Sequence, residues 1–277
     1  MHRSTMKSSR LTYSSPDDPL LKRLLINVVE HATGRLSLER MYEEVKSRNL
    51  PSSELWKALL DQLEVKLVYD EAQLAQAPPE GPLVFVANHP FGLLDGLILG
   101  YLTAQVRPRF TVLVNEVLTR EQALAEYLLP IDFRETKAAA LLNLDTRAKA
   151  MERLKAGEAV AIFPSGGVAT APRSFWLPAV DLEWKRFTAK LIQFSRATVV
   201  PLYFHGQNSR LFQLASQIHQ SLRLSFLIYE IHNKIGKEIH ISIGDPIPFE
   251  SLAHIKGRQE LLDYLREVAL GLEKKRK

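Results

Sequence analysis

Residues 88–96 read NHPFGLLDG and hold a histidine and an aspartate six positions apart, His89 and Asp95. A neutral imidazole accepts a proton from a hydroxyl when a partner on its other nitrogen fixes the tautomer and supports the positive charge that develops. Asp95 is the nearest such partner. Six residues of extended strand would hold the two roughly 20 Å apart, so the pair can act together only if the chain folds between them. Pro90 disfavours the helical region for His89, and Gly92 and Gly96 admit backbone geometries that other residues resist, which predicts a sharp bend. No serine or cysteine lies in this loop, and direct attack by a substrate hydroxyl is the simpler scheme than a covalent enzyme intermediate. A plainer reading stays open, in which His89 has an ordinary loop role and Asp95 caps the following helix.

A second loop has the same form. The apolar run 159–163 ends in Pro164, Ser165, Gly166 and Gly167, and Arg173 follows. Consecutive glycines after a strand let backbone N–H groups approach an anion or a developing oxyanion, and an arginine can clamp a phosphate or carboxylate. The spacing and the Lys-Ser/Thr pair of a nucleotide phosphate loop are missing. The alternative is a glycine turn with a surface arginine.

Both loops need strands to aim them. LVFVA at 83–87 reads as a strand and the apolar run after Asp95 as a helix, which puts His89 at a strand's carboxyl end, where open α/β sheets bind ligands. Further strands are expected at 65–69, 110–114, 159–163 and 198–204, and helices at 120–128, 145–155, 182–196 and 259–272. Residues 225–231 and 238–243 read as a hairpin around 233–236. This alternation predicts an α/β fold, a mostly parallel central sheet flanked by helices, with an antiparallel element near the end.

Ahead of it, a polar tail to Ser15 leads into a helix capped by Asp18, opened by Pro19 and closed by Gly34, with Leu20, Leu21, Leu24, Leu25, Val28 and Val29 as its apolar face. Leu38, Met41, Tyr42 and Val45 repeat at helical spacing, as do Leu55, Trp56, Leu59, Leu60 and Leu63. Residues 1–63 are thus expected to form an N-terminal helical module with a disordered tail, and 64–277 the α/β domain. The apolar stripes of the module are expected to pack on that domain rather than on a membrane.

The 277 residues are 46% hydrophobic and 24% charged, an ordinary globular balance, and the absence of cysteine excludes disulfides, thiolate zinc sites and cysteine nucleophiles. No signal peptide is visible, and no apolar run reaches the roughly 18 residues of a spanning helix. A cytoplasmic location is the default. The net charge of +5 favours acidic partners such as phospholipid headgroups or an acidic carrier protein. Scattered basic residues without a recognised motif speak against nucleic acid. His219, His232, His240 and His254 lack ligand spacing, so no metal is expected, and no cofactor.

Other stretches carry two readings each. Phe175, Trp176 and Leu177, set between prolines, either dip into lipid, line an acyl channel or cover the core. Trp184, Phe187, Leu191 and Phe194 share a face with Lys185, Arg186 and Lys190 off it, which suits a membrane surface or an ordinary surface helix. His205, Gln207, Asn208, Ser209 and Arg210 form a polar cluster after a strand, where headgroup contacts are possible.

NHPFGLLDG at 88–96, IFPSGG at 162–167 and VVPLYFHG at 199–206 stand in the order and approximate spacing of the lysophospholipid acyltransferase superfamily, glycerolphosphate acyltransferase type. The chain resembles most its hemolysin-like and ornithine-lipid acyltransferase branch, over roughly residues 65–247. LPIDFRET at 129–136 falls where that family has its second motif, with Arg134 as the match. The resemblance implies a membrane-surface O-acyltransferase in which His89 is the general base and Asp95 orients and charges it. The alkoxide then attacks the thioester of acyl carrier protein or acyl-CoA, with no acyl-enzyme and no metal. The same resemblance implies Asn88, Gly92, Arg134, Ser165, Gly166, Gly167 and Arg173 as substrate-binding residues. The implied acceptor is a lysolipid and the implied address the inner face of the cell membrane.

Two departures bear on the acceptor. Five residues separate His89 from Asp95 where the common motif has four, and Ser165 stands where the common third motif has glutamate, with Gly167 where the hemolysin-like branch often has one. A carboxylate that would contact the acceptor is missing, which opens the acceptor to a lyso-aminolipid or a sterically different lysolipid instead of lysophosphatidate, and opens the chain to loss of activity. An acyl ester or thioester hydrolase, and a non-catalytic lipid or carrier-protein binding module, are the alternative functions.

Overall fold

The computed structural model describes residues 33–275 except 121, 122 and 135, and before them residues 20, 24, 26, 28, 29 and 31. The polar tail, the Asp18 cap, Pro19, Leu21 and Leu25 lie outside the described residues. Leu20, Leu24, Ile26, Val28, Val29 and His31 are helical. Gly34, at φ +97°, turns the chain into α1 (Arg35–Ser47), followed by α2 (Ser52–Gln62).

From β1 (Lys66–Val68) the chain passes through α3 (Glu71–Leu74) to β2 (Leu83–Ala87), α4 (Leu93–Val106), β3 (Phe110–Asn115), β4 (Leu128–Ile131), α5 (Lys137–Lys155) and β5 (Ala159–Ile162). Next come α6 (Arg186–Ser195), β6 (Thr198–Phe204), α7 (Arg210–Ile218), α8 (Gln220–Lys234), β7 (Glu238–Ile243), α9 (Phe249–Leu252) and α10 (Arg258–Gly271). The seven strands form one sheet in the order β1-β7-β6-β2-β5-β3-β4. β6, β2, β5, β3 and β4 are mutually parallel, with Val84 opposite both Val160 and Val199; β7 runs antiparallel to β6 and parallel to β1. The fold is α/β, a mostly parallel sheet flanked by helices.

β2 and β5 are buried along their whole length, which is why they read as unbroken apolar runs instead of alternating ones. Alternate residues face opposite layers. Phe85 and Ala161 join Ile98 and Leu102 of α4 and Trp56 and Leu60 of α2; Val84 and Val160 join Leu154, Leu191 and Leu265 on the other side. Trp56 lies against Gly100, where a Cβ would stand 2.2 Å from the indole. The glycine therefore sets how closely α2 docks on α4.

Four elements differ from their sequence reading. Residues 225–231 are helical within α8, not a strand: Leu224, Leu227, Ile228 and Ile231 repeat at helical spacing and serve two clusters, Leu227 against Val168 and Phe212, Ile228 and Ile231 against Leu38. The antiparallel partner of β7 is β6, and no hairpin forms at 233–236. Residues 116–120 and 125–127 are 3₁₀ turns followed by β4, whose Pro130 is tolerated because β4 is an edge strand. α6 starts at Arg186, not 182, because the Lys185 N–H is tied to the carbonyl of Pro164 and the Trp184 indole to Asp181. α5 in turn begins early, capped by Thr136 at the Ala139 N–H, 3.1 Å away.

Candidate active site

The parallel strands all end on one side of the sheet, and the loops leaving β2, β3, β4 and β5 surround a cleft of about 1680 Å³. His89 follows β2, Glu116 follows β3, Asp132 and Arg134 follow β4, and the Pro164–Gly167 turn follows β5. This is the edge where parallel α/β sheets expose backbone and loops to ligands.

The first motif closes on itself. His89 Nδ1 lies 3.0 Å from Asp95 Oδ2. The same oxygen accepts the N–H groups of Phe91 at 2.7 Å and Gly92 at 2.9 Å. Asp95 is fully buried at the third position of α4. Asp95 therefore makes two connections through one oxygen: it ties down the first turn of the helix and lies within hydrogen-bond distance of the imidazole. Gly92 adopts φ +87°, ψ −119°, a region open only to glycine, and a Cβ there would stand 2.7 Å from Leu227. That conformation turns its N–H toward Asp95.

Three residues not singled out in the sequence belong to the site, two of them in contact with His89. Phe163 stacks on the imidazole, ring centroids 4.0 Å apart and planes 18° from parallel. Asp181 Oδ1 accepts the His89 N–H at 3.1 Å, and its Oδ2 accepts the Trp184 indole N–H at 2.8 Å. Burial pushes the Asp181 carboxyl above the usual carboxylate range, against the pull of these donors. The His89 carbonyl accepts the Ala169 N–H at 2.7 Å. With Nδ1, backbone and ring face all engaged, Nε2 is the atom His89 offers to the cleft.

The third residue, Arg223, stands on α8 and lines the cleft. Its Nη2 donates to the Val168 carbonyl at 2.6 Å and lies 3.6 Å from where a Cβ on Gly167 would be. Burial lowers its pKa.

The remaining sequence candidates divide. Ser165, Gly166 and Gly167 line the cleft, with the Ser165 hydroxyl donating to the Gly167 carbonyl at 3.1 Å and the Gly166 N–H to Phe163 at 2.9 Å. Arg134 lines it too, chelated to Asp132 through Nε and Nη2 and 3.6 Å from Glu116; this holds the Asp132 carboxyl below its ordinary range. Asn88 is buried and faces away from the cleft. Its amide donates to the Phe204 carbonyl at 3.0 Å and accepts the Phe204 N–H at 2.7 Å, pinning the end of β2 to the end of β6. Arg173 is exposed and does not line the cleft, because the paired backbones of Thr170 and Val180 carry residues 171–179 away from it.

The polar cluster after β6 is bonded within the protein: Gln207 accepts the Ala179 N–H, Ser209 caps α7, and the exposed Arg210 donates to the carbonyls of Phe175 and Leu177. Among the described residues no cluster of histidine and acidic side chains is arranged to hold a metal ion.

The arrangement can accept a proton at His89 Nε2 from a hydroxyl lodged in a cleft whose lining includes the apolar Leu113, Met151 and Phe187 and the basic Lys185, Lys190 and Arg223. A lyso-glycine lipid O-acyltransferase of Phocaeicola vulgatus is 26% identical over 260 residues, 91% of this chain and 88% of that protein. A lyso-glycine lipid O-acyltransferase of Bacteroides thetaiotaomicron is 28% identical over 203 residues, covering 70% of this chain and 71% of its own. The crystal structure of the 1-acyl-sn-glycerophosphate (LPA) acyltransferase PlsC from Thermotoga maritima superposes with a TM-score of 0.49 at 16% identity, over 92% of this chain and 96% of that one. A model of the acyltransferase family matches residues 21–275, and the chain belongs to that family, within the lysophospholipid acyltransferase superfamily.

Proposed function

We propose that this acyltransferase transfers a fatty acyl chain from a thioester donor, acyl carrier protein or acyl-CoA, to a hydroxyl of a lysolipid. The observation that carries the reading is the His89–Asp95 pair at 3.0 Å, opening on a cleft that also contains the Ser165–Gly167 turn. His89 Nε2 takes the hydroxyl proton as the oxygen attacks the thioester carbonyl, and Asp95 stabilises the imidazolium. The Ser165 and Gly167 N–H groups, which no described residue accepts, are the donors available to the oxyanion. Collapse of the tetrahedral species breaks the carbon–sulfur bond, the imidazolium returns its proton to the thiolate, and ester and free thiol leave.

The names of the two relatives favour a glycine lipid as acceptor. Glycine offers an amine and a carboxylate but no hydroxyl, so O-acylation of such a lipid falls on a hydroxyl of its acyl chain. The carboxylate then stays free.

Work at a membrane surface fits the exposed side chains. Trp176 and Leu177 project beside α7, whose Leu211, Leu214 and Ile218 are also exposed, and Arg210 joins the two through the carbonyls of Phe175 and Leu177. No helix among the described residues is long and apolar enough to cross a membrane. Attachment to the inner face of the cell membrane is the address we propose, and replacing Trp176 and Leu211 by serine is expected to weaken sedimentation with anionic vesicles.

The test is product analysis of purified protein supplied with acyl carrier protein or coenzyme A thioesters, with and without an N-acylglycine bearing a chain hydroxyl. A new ester that depends on the acceptor is expected. Free fatty acid released at one rate with or without it would make the protein a hydrolase instead.

A further inference from the structure

Two arginines show how a guanidinium is otherwise held in this protein, the buried Arg107 and the exposed Arg134. Arg107 is a structural one: its guanidinium donates to the carbonyls of Pro78, Gly157 and Gly81, and Glu80 nearby opposes part of the cost of its burial. Arg134 is neutralised by Asp132 and Glu116. Arg223 fits neither pattern. Among the described residues only the Val168 carbonyl accepts from its guanidinium, and no carboxylate lies within ion-pair distance. An arginine taken from water without an anion is unfavourable, and its planar fork is shaped to hold a carboxylate through two parallel N–H groups.

The surroundings leave room for that anion. Gly167 has no side chain on the side facing the guanidinium, where a Cβ would stand 3.6 Å from Nη2. The cleft reaches His89, Gly167 and Arg223 alike. The anion position and the base are also fixed relative to each other by a short chain of bonds: Arg223 holds the carbonyl of Val168, and the next residue, Ala169, donates its N–H to the carbonyl of His89 at 2.7 Å.

Resting on the lysolipid acyltransferase reading, we propose that Arg223 is the subsite for the acceptor's headgroup carboxylate and so determines acceptor specificity. The acceptor enters with its carboxylate on the guanidinium and its hydroxyl toward His89 Nε2. Burial that lowers the pKa of Arg223 with no acid opposing it agrees with a cation set up for an incoming charge.

Binding can be read without turnover in the His89→Ala protein, by calorimetric titration with an N-acylglycine carrying a chain hydroxyl, with its methyl ester, and with a lysophosphatidic acid of equal chain length. Adding Arg223→Met is expected to weaken the acid by about 10- to 100-fold and to leave the ester unchanged. Arg223→Lys should recover part of the loss. In the otherwise wild-type enzyme, Arg223→Met should raise KM for the acid far more than it lowers kcat. Equal weakening of acid and ester, or a lowered Tm with unchanged discrimination, would make Arg223 a structural residue and overturn the assignment. Tighter and Arg223-dependent binding of the phosphate-headed lipid would overturn its carboxylate preference. Absence of transfer by the wild-type enzyme would remove the acyltransferase reading itself, which the titrations do not depend on.

Discussion

His89 and Asp95 meet through a single oxygen. Asp95 Oδ2 lies 3.0 Å from His89 Nδ1 and also closes the first turn of α4 through the N–H groups of Phe91 and Gly92. Holding the ring and holding the loop are thus one interaction, and the two can be separated by choice of substitution. His89→Ala should lower kcat by about a hundredfold to ten-thousandfold with little change in Tm. Asp95→Asn keeps an acceptor for the two N–H groups but not the charge, so it should lose activity more than stability. Asp95→Ala strands both donors and should also lose about 1–3 kcal/mol per unmet group. A double variant, His89→Ala with Asp95→Asn, no slower than His89→Ala alone would show that the two act as a unit. Additive losses in kcat would refute it.

Phe163 lies face to face with the imidazole at 4.0 Å. When His89 becomes charged during proton transfer, an aromatic face at that distance stabilises the cation by about 0.5–2 kcal/mol. Phe163→Leu keeps the apolar bulk but not the face, so kcat should fall about 2- to 30-fold while acceptor binding holds. An unchanged kcat would leave Phe163 as packing only.

Gly92 carries two demands at once, a positive φ and a close approach to Leu227. Gly92→Ala should destabilise the fold by about 1–3 kcal/mol from backbone strain alone and disturb the N–H that Asp95 accepts. Pairing it with Leu227→Ala relieves the clash but not the strain. Partial recovery of Tm is therefore expected; complete recovery would show that the backbone conformation is not strained.

How much of this could be read from the chain follows from how local each relationship is. His89 and Asp95 are six residues apart, and the bend between them is written in Pro90 and Gly92, so the motif and its place at a strand end were legible. The parallel core was legible too, because β2 and β5 are apolar on both faces. Arg223 was not. Its place in the cleft depends on α8 folding back over the loop after β5, and the run beginning at Ser225 mixes aromatic and β-branched residues that mimic a strand until its 3.6-residue repeat is followed across Leu224, Leu227 and Ile231. Asp181 belongs to no motif and acts on a backbone N–H 92 positions away. Arg173 failed for the opposite reason: it is near the glycine turn in sequence, but the Thr170–Val180 pairing directs that segment outward.

Asp181 gives the last test, because its burial has a definite sign. Its carboxyl is held above the usual range in the folded protein, so the unfolded chain releases the proton first as pH rises. Between the ordinary carboxylate pKa, about 3.9, and the raised native value, the native state binds more protons, and stability must fall with increasing pH. The Trp184 indole N–H opposes this by stabilising the ionised form. Trp184→Phe removes that donor and should move the native value further up. Its destabilisation, followed by urea midpoints, should then grow as pH rises from near 4 through the range in which the native Asp181 ionises. The variant should also slow transfer at neutral pH, since the Asp181 oxygen that positions the His89 backbone N–H loses its anchor. A Trp184→Phe penalty that is flat across this range would show that the indole contributes packing and not support for the carboxylate.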